Sequence, residues 1–214
     1  MMFNAGQSLF VSIHNEEVTK GVPLSLLAAV FSGLQDTVYF IATAVSGCEL
    51  RPRMRVPVNI HETYRLMRVA EYNSAYTLEV VFEEPMQARL PLEPDERNIV
   101  LDKYMSLLDA LSDADNQRVF ALFPDASWRK RILYSVENHC PKKEDPWYLT
   151  FRREVTGCEV QLSAKSRVHI GELLTRRSLE DITVSGELLR IHLDEHKIGI
   201  FYQPAKRLLD CYYN

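Results

Sequence analysis

Glycine is scarce in this chain, at eight positions in 214 residues. None falls in the G-x-G-x-x-G or G-x-x-x-x-G-K-S/T spacing that lets backbone N–H groups close on a phosphate, which excludes the two common nucleotide-binding loops. Cysteine is sparser still: Cys48, Cys140, Cys158 and Cys211 are scattered, with no C-x-x-C pair. That spacing argues against a disulfide framework. Met1-Met2-Phe3-Asn4 lacks the basic and apolar regions of a leader, so the thiols read as reduced and the address as cytoplasmic. No run approaches the roughly 18 consecutive apolar residues of a membrane span, so no membrane partner is expected. There is no G-x-S-x-G elbow, and carboxylate pairs such as Glu83-Glu84 and Glu144-Asp145 lie in polar, solvated stretches unsuited to acid–base work. No catalytic residue, metal or cofactor follows from the sequence, although a site assembled from distant residues leaves no linear trace.

What is present describes an ordinary globular chain, 46% apolar and 25% charged, able to bury a core. The net charge of −4 argues against a dedicated non-specific nucleic-acid binder, because such binding draws on phosphate neutralisation. The charge is unevenly spread. Residues 1–100 hold 8 Lys+Arg against 12 Asp+Glu, whereas residues 128–177 hold 11 against 6. Within that basic stretch Arg129, Lys130, Arg131, Arg152 and Arg153 stand among Trp128, Trp147, Tyr148 and Phe151, a mixture that can hold phosphates and stack bases. The competing reading is a packed subdomain with a charged outer face, since Trp147, Leu149 and Phe151 alternate like a core strand and Trp128 fits a helical stripe. Arg51, Arg53 and Arg55 would share one side of an extended segment and suit an anion, or else lie in a solvated loop.

Several strings invite a metal or thiol reading. His192-Leu193-Asp194-Glu195-His196 matches the H-x-x-E-H pattern of inverted zinc peptidases, but it spans a strand end and a turn, where the two histidines cannot share a helical face. His139, Cys140 and Cys158 make three ligands at most, without the paired spacing of structural zinc. Cys140, beside His139 and near Lys142-Lys143, has the surroundings of an activated thiol but no partner histidine identifiable from spacing. Ser46-Gly47-Cys48-Glu49-Leu50 and Thr156-Gly157-Cys158-Glu159-Val160 look alike, too briefly to establish a duplication.

Periodicity supplies the organisation. Leu9, Val11 and Ile13 alternate as a strand. After Pro23, Leu27, Val30, Phe31, Leu34, Val38, Ile41 and Val45 form a long helical stripe with Ser25 as its cap. Gln35, beside Leu34 and Val38, is either a buried hydrogen-bonder or a flank residue. Residues 46–61 are proline-punctuated. Tyr64 to Glu71 and Tyr76 to Phe82 form a hairpin, and the proline-rich, acidic residues 83–98 mark a linker or long loop. A helix through Val100, Tyr104, Leu107 and Leu111 follows, then a short one through Val119 and Leu122, and a third from Trp128 to about Glu137 capped by Asp125. A second hairpin runs over Trp147 to Arg153 and Glu159 to Leu162, with a short helix near Arg167 to Leu174.

From Thr183 onward three strands alternate, bent by a glycine bulge at Gly186 and turning at Asp194-Glu195-His196 and Gln203 to Lys206. They resemble the opening meander of small barrels of the OB or SH3-like kind, over about a sixth of the chain. The resemblance implies an unclosed barrel whose last strand, Arg207 to Tyr213, offers unpaired backbone groups. A plain three-stranded sheet is the alternative. The expected fold is therefore α+β: an N-terminal strand–helix–hairpin unit (1–96), a helical middle with a second hairpin (97–180) and a C-terminal β-meander of small-barrel type (181–214). The expected role is a subunit or adaptor of a cytoplasmic assembly, binding a protein partner or a second copy through Leu208, Cys211 and Tyr213. A nucleic-acid-binding module using residues 128–177 is the alternative.

Overall fold

A strand whose alternate residues are aliphatic can sit at the centre of a half-buried sheet, and Leu9–Asn15 (β1) does so. The computed structural model describes residues 8–15, 22–50, 54–72, 76–83, 96–175, 186–192, 194, 196–203 and 206–212. The chain divides into two compact units, Met1–Arg176 and Arg177–Asn214. The first contains, after β1, α1 (Leu24–Val45), α2 (Val58–Thr63), β2 (Leu66–Tyr72), β3 (Thr77–Phe82), α3 (Glu96–Ser112), α4 (Asn116–Leu122), α5 (Ala126–His139), β4 (Trp147–Arg153), β5 (Cys158–Leu162) and α6 (Ala164–Thr175).

The five strands form one sheet in the order β2-β3-β1-β4-β5, every neighbour antiparallel. The two hairpins are joined through β1, where Val11 stands opposite Leu78 on one side and Phe151 on the other. Leu9, Val11 and Ile13 are at most 1% exposed, and together with Val80, Phe82, Leu149, Phe151, Val160 and Leu162 they meet the helices in a single core. α3 contributes Val100, Leu101, Tyr104, Leu107, Leu108 and Leu111, all buried, a stripe too wide for one neighbour. Arg153, buried at the end of β4, ties that helix to the sheet: its guanidinium pairs with the Asp102 carboxylate and donates to Asn98 Oδ1 at 2.8 Å.

Local chemistry accounts for most element ends. Asp125 accepts hydrogen bonds from Ser127 N and Trp128 N and so starts α5 as expected, and Asp115 does the same for α4 through Arg118 N. Ser25 does not cap α1; the helix begins behind Pro23, whose fixed φ suits the position without a side-chain bond. α2 forms behind Pro57 in the same manner. Arg55 is exposed before it, and Arg51 and Arg53 lie outside the described residues. By length and composition α1 could also cross a membrane, with a mean hydropathy of 1.5 over its best window. Counting uninterrupted apolar runs misses this, since Gly33, Gln35, Asp36 and Thr37 break them. Here Val30, Leu34, Val38 and Ile41 are fully buried within the core.

α1 and α5 meet where a side chain is missing. A Cβ on Gly33 would stand 2.7 Å from Nδ1 and 2.8 Å from Cβ of His139, so only glycine allows this approach. Thr37, one turn on, donates to Gly33 O at 2.8 Å and lies 2.8 Å from the Ser135 hydroxyl of α5. Gln35 resolves as a brace: its Nε2 donates to Tyr64 O at 3.0 Å and its Oε1 accepts from Leu66 N at 2.7 Å, fixing the entry to β2.

The C-terminal unit corrects the expected barrel. β6 (Glu187–His192), β7 (Lys197–Tyr202) and β8 (Arg207–Tyr212) form an open antiparallel sheet in the order β6-β7-β8, neither closed nor strongly curled. The bulge lies between Leu188 and Arg190, not at Gly186. Gly186 has a different reason to be glycine, since a Cβ there would come within 2.3 Å of Phe201 O. Without a strong bend the strands have no means of curling into a barrel wall.

Adding one methyl to a dense contact costs about 1–3 kcal/mol, against the roughly 1 kcal/mol that alanine gains over glycine inside a helix. We expect Gly33→Ala to lower the unfolding free energy by about 1–2 kcal/mol in urea denaturation. An unchanged or raised value would show that the His139 ring moves aside freely.

Candidate functional site

A three-stranded sheet has two faces, and the register of β6, β7 and β8 sorts them by chemistry. Leu188 and Ile191 pair with Ile200 and Ile198, which pair in turn with Leu209 and Cys211. These six residues share one face. The other face carries Glu187, Arg190, His192, Lys197 and Asp210 together with Phe201 and Leu208, with Lys197 Nζ 3.1 Å from the Asp210 carboxylate. The bulge produces this sorting. Because Leu189 is an extra residue against β7, Leu188 and Ile191 fall on the same side although they are three apart. In the register Tyr202 pairs with Arg207 at the end of the ladder.

This apolar face is not a filled core. Leu188, Leu189 and Ile191 are 53, 53 and 58% exposed, every residue of β6 is exposed, and Ile198, Ile200, Leu209 and Cys211 are half-buried. Among the described residues no apolar side chain of the unit is buried. Among the described residues β6 and β8 are both edges, each hydrogen-bonded to β7. Of the residues expected to bind a partner, Cys211 lies on the apolar face and Leu208 on the opposite one, while Tyr213 lies outside the described residues. β6 is the stretch that sequence reading undervalued. Its Glu187-Leu188-Leu189-Arg190-Ile191 breaks strict alternation, and the bulge that repairs the pattern becomes visible only in the register.

The basic residues do not converge. Arg129 donates to the carbonyls of Phe123 and Pro124 at 2.8 and 3.0 Å and stacks on Phe120 at 4.5 Å, closing the end of α4. Arg131 donates to Met54 O and lies 4.5 Å from the centre of the Phe40 ring. Lys130 is exposed, 5.9 Å from the Tyr134 ring. Arg152 covers Phe10 on the sheet at 4.7 Å, and Arg153 is buried. Four of the five are thus engaged with carbonyls, rings or a carboxylate of their own fold.

His139 and Cys140 occupy the core. His139 Nδ1 donates to Ser135 O at 2.9 Å, which leaves Nε2 to accept from the Tyr104 hydroxyl at 3.2 Å. Burial pushes the His139 pKa down to about 4, and burial raises that of the Cys140 thiol to about 12 despite the nearby Arg167. A thiolate nucleophile needs the opposite shift, so Cys140 is an inert core thiol. His192 ends a strand and His196 occupies a turn at φ 48°, a hairpin arrangement rather than one helical face.

No protein-family model matches the sequence, and no curated protein or solved structure is significantly similar to it.

The unfolded chain protonates His139 near pH 6.5 and the folded chain only near 4, so between those values the unfolded state binds the extra proton. The stability from keeping this imidazole neutral is complete above about pH 6.5 and is lost as pH falls through about 4, a change of up to about 3 kcal/mol. Urea denaturation at about pH 7 and about pH 4.5 should show this decline in the native protein and a flatter one in His139→Gln.

Proposed function

We propose that the chain is an assembly subunit of the cytoplasm, joined to a second copy of itself through the C-terminal sheet. The observation that supports this most directly is the pairing of sorted faces with an unfilled core. Six aliphatic or thiol positions gather on one side of β6, β7 and β8, yet Leu188 and Ile191 remain more than half exposed. A three-stranded sheet gains most of its stability from a covered apolar face. Exposed aliphatic clusters of this kind mark interaction surfaces.

A second copy is the favoured occupant because the six positions include no charge that would call for a complementary partner. Such a face matches its own two-fold image, and an isologous pair is the commonest form of assembly. Two sheets stacked by their apolar sides would lie about 10 Å apart and form a small sandwich. The charged residues of the other faces would remain in water.

Leu188→Lys combined with Ile191→Lys places two cations on the most exposed strand of the patch without touching the core of the first unit. Sedimentation velocity should give a dimer for the native chain at micromolar concentration and a monomer for the double variant. The thermal transition of the first unit should be unaltered. A native chain that stays monomeric at high micromolar concentration would overturn this reading.

A further inference from the structure

Between the end of α1 and the joint from α4 to α5 lies a cavity of about 280 Å³, open to solvent at its mouth. Its walls follow from the way α4 stops. Phe123 leaves helical geometry at φ −133° and ψ 82°, Pro124 follows, and Asp125 caps the start of α5. That joint gathers Leu122, Phe123 and Trp128 beside Ala44 and Val45 of α1, so that with Pro124 six of the eight lining residues are apolar. Phe123 and Trp128 are each 5% exposed. The walls are also held in place. Arg129 donates to the Phe123 and Pro124 carbonyls, and Trp128 Nε1 donates to Cys48 O at 2.9 Å. A cavity fixed in this way loses little affinity to ordering when a ligand enters.

The other two lining residues carry opposite charges, and among the described residues neither has an ionic partner. Lys103 of α3 is half-buried, with its Nζ 5.7 Å from the centre of the Phe123 ring. Asp125 is exposed and accepts from Ser127 N and Trp128 N on Oδ1 at 2.7 and 2.9 Å, which leaves Oδ2 without a hydrogen bond. The geometry points to a site for a free α-amino acid with a large apolar side chain. Such a molecule carries on one carbon a carboxylate for Lys103, an ammonium for Asp125 and a side chain for the apolar walls.

Other occupants match less of the lining. A hydrophobic carboxylate uses the lysine but sets its anion beside Asp125, and an amphipathic amine meets Lys103 in the same way. A residue inside a peptide has neither charge, because its amine and carboxyl are amides. A nucleotide finds a single cation, in a volume just below the roughly 300–1,000 Å³ of drug-sized pockets. The open mouth leaves both charged groups partly hydrated, so each contact is a modest one and the affinity falls in the millimolar range.

The test follows the indole ¹⁵N–H resonance of Trp128 in the full chain, with Trp147, which does not line the cavity, as internal reference. Four probes are compared: phenylalanine, 3-phenylpropionate without the ammonium, phenethylamine without the carboxylate, and glycine without the side chain. Phenylalanine should shift Trp128 and not Trp147, and the other three should bind about fivefold more weakly or worse. Lys103→Met keeps an unbranched side chain beside Phe123 and should bring phenylalanine down to the affinity of phenethylamine. Asp125→Asn keeps the cap of α5, since Asn serves there as well as Asp. It should weaken phenylalanine and strengthen phenylpropionate, an exchange of preference that a general loosening of the fold would not produce. The four probes on the native chain test the assignment without either substitution. Phenylpropionate or glycine binding as tightly as phenylalanine, no response of Trp128 to any probe, or undiminished binding in Lys103→Met would overturn it.

Discussion

α5 can pack against α1 through His139 because Gly33 has no side chain. His139 lies over the bare backbone of α1 and uses both ring nitrogens, one toward Ser135 O and the other toward the Tyr104 hydroxyl. One ring therefore joins α1, α5 and α3, with Phe151 of the central sheet 6.4 Å from its centre. The arrangement tolerates no charge, which is why the imidazole is held neutral. The position of α1 in turn places Gln35 against both sides of the turn into β2. A missing methyl group thus governs the position of an edge strand at the far side of the sheet.

The two units use polar groups in opposite ways. The first buries them and pairs them: Thr37 with Ser135, His139 with Tyr104, Arg153 with Asp102 and Asn98. Such pairs favour one packing over its alternatives, because a displaced helix would strand buried donors and acceptors. The second unit gathers six aliphatic or thiol positions on one face, sets most of its charges on the other beside Phe201 and Leu208, and buries none of them. Its half-exposed apolar face departs from the internal satisfaction of the first unit. Departures of that kind concentrate at functional positions.

Much of the secondary structure was legible in the sequence, because β1, α1, α3, α5 and both hairpins have strong periods and clear ends. The positions of Leu9, Val11 and Ile13, the Asp125 cap and the stripe from Val100 to Leu111 all follow from spacing and propensity. The assembly was not legible. Nothing local states that β1 lies between two hairpins separated by more than sixty residues, since non-local pairing leaves no periodic trace. α2 was hidden by its shortness and by Pro52 and Pro57. Among candidate site residues, sequence marked the cations by type but could not show that Arg129 and Arg131 would be directed to carbonyls, or that Arg153 would be buried.

The extra residue at Leu189 gives β6 a parity that its composition does not have. On the Gly186 side of the bulge one phase points Leu188 to the aliphatic face, and beyond it the opposite phase does the same for Ile191. Shortening the strand by that one residue would keep nearly the same amino acids yet turn half of them inside out. Homologous chains are thus expected to tolerate aliphatic exchanges in this ribbon more readily than an insertion or deletion. What the register asks of this strand is a count rather than a set of letters.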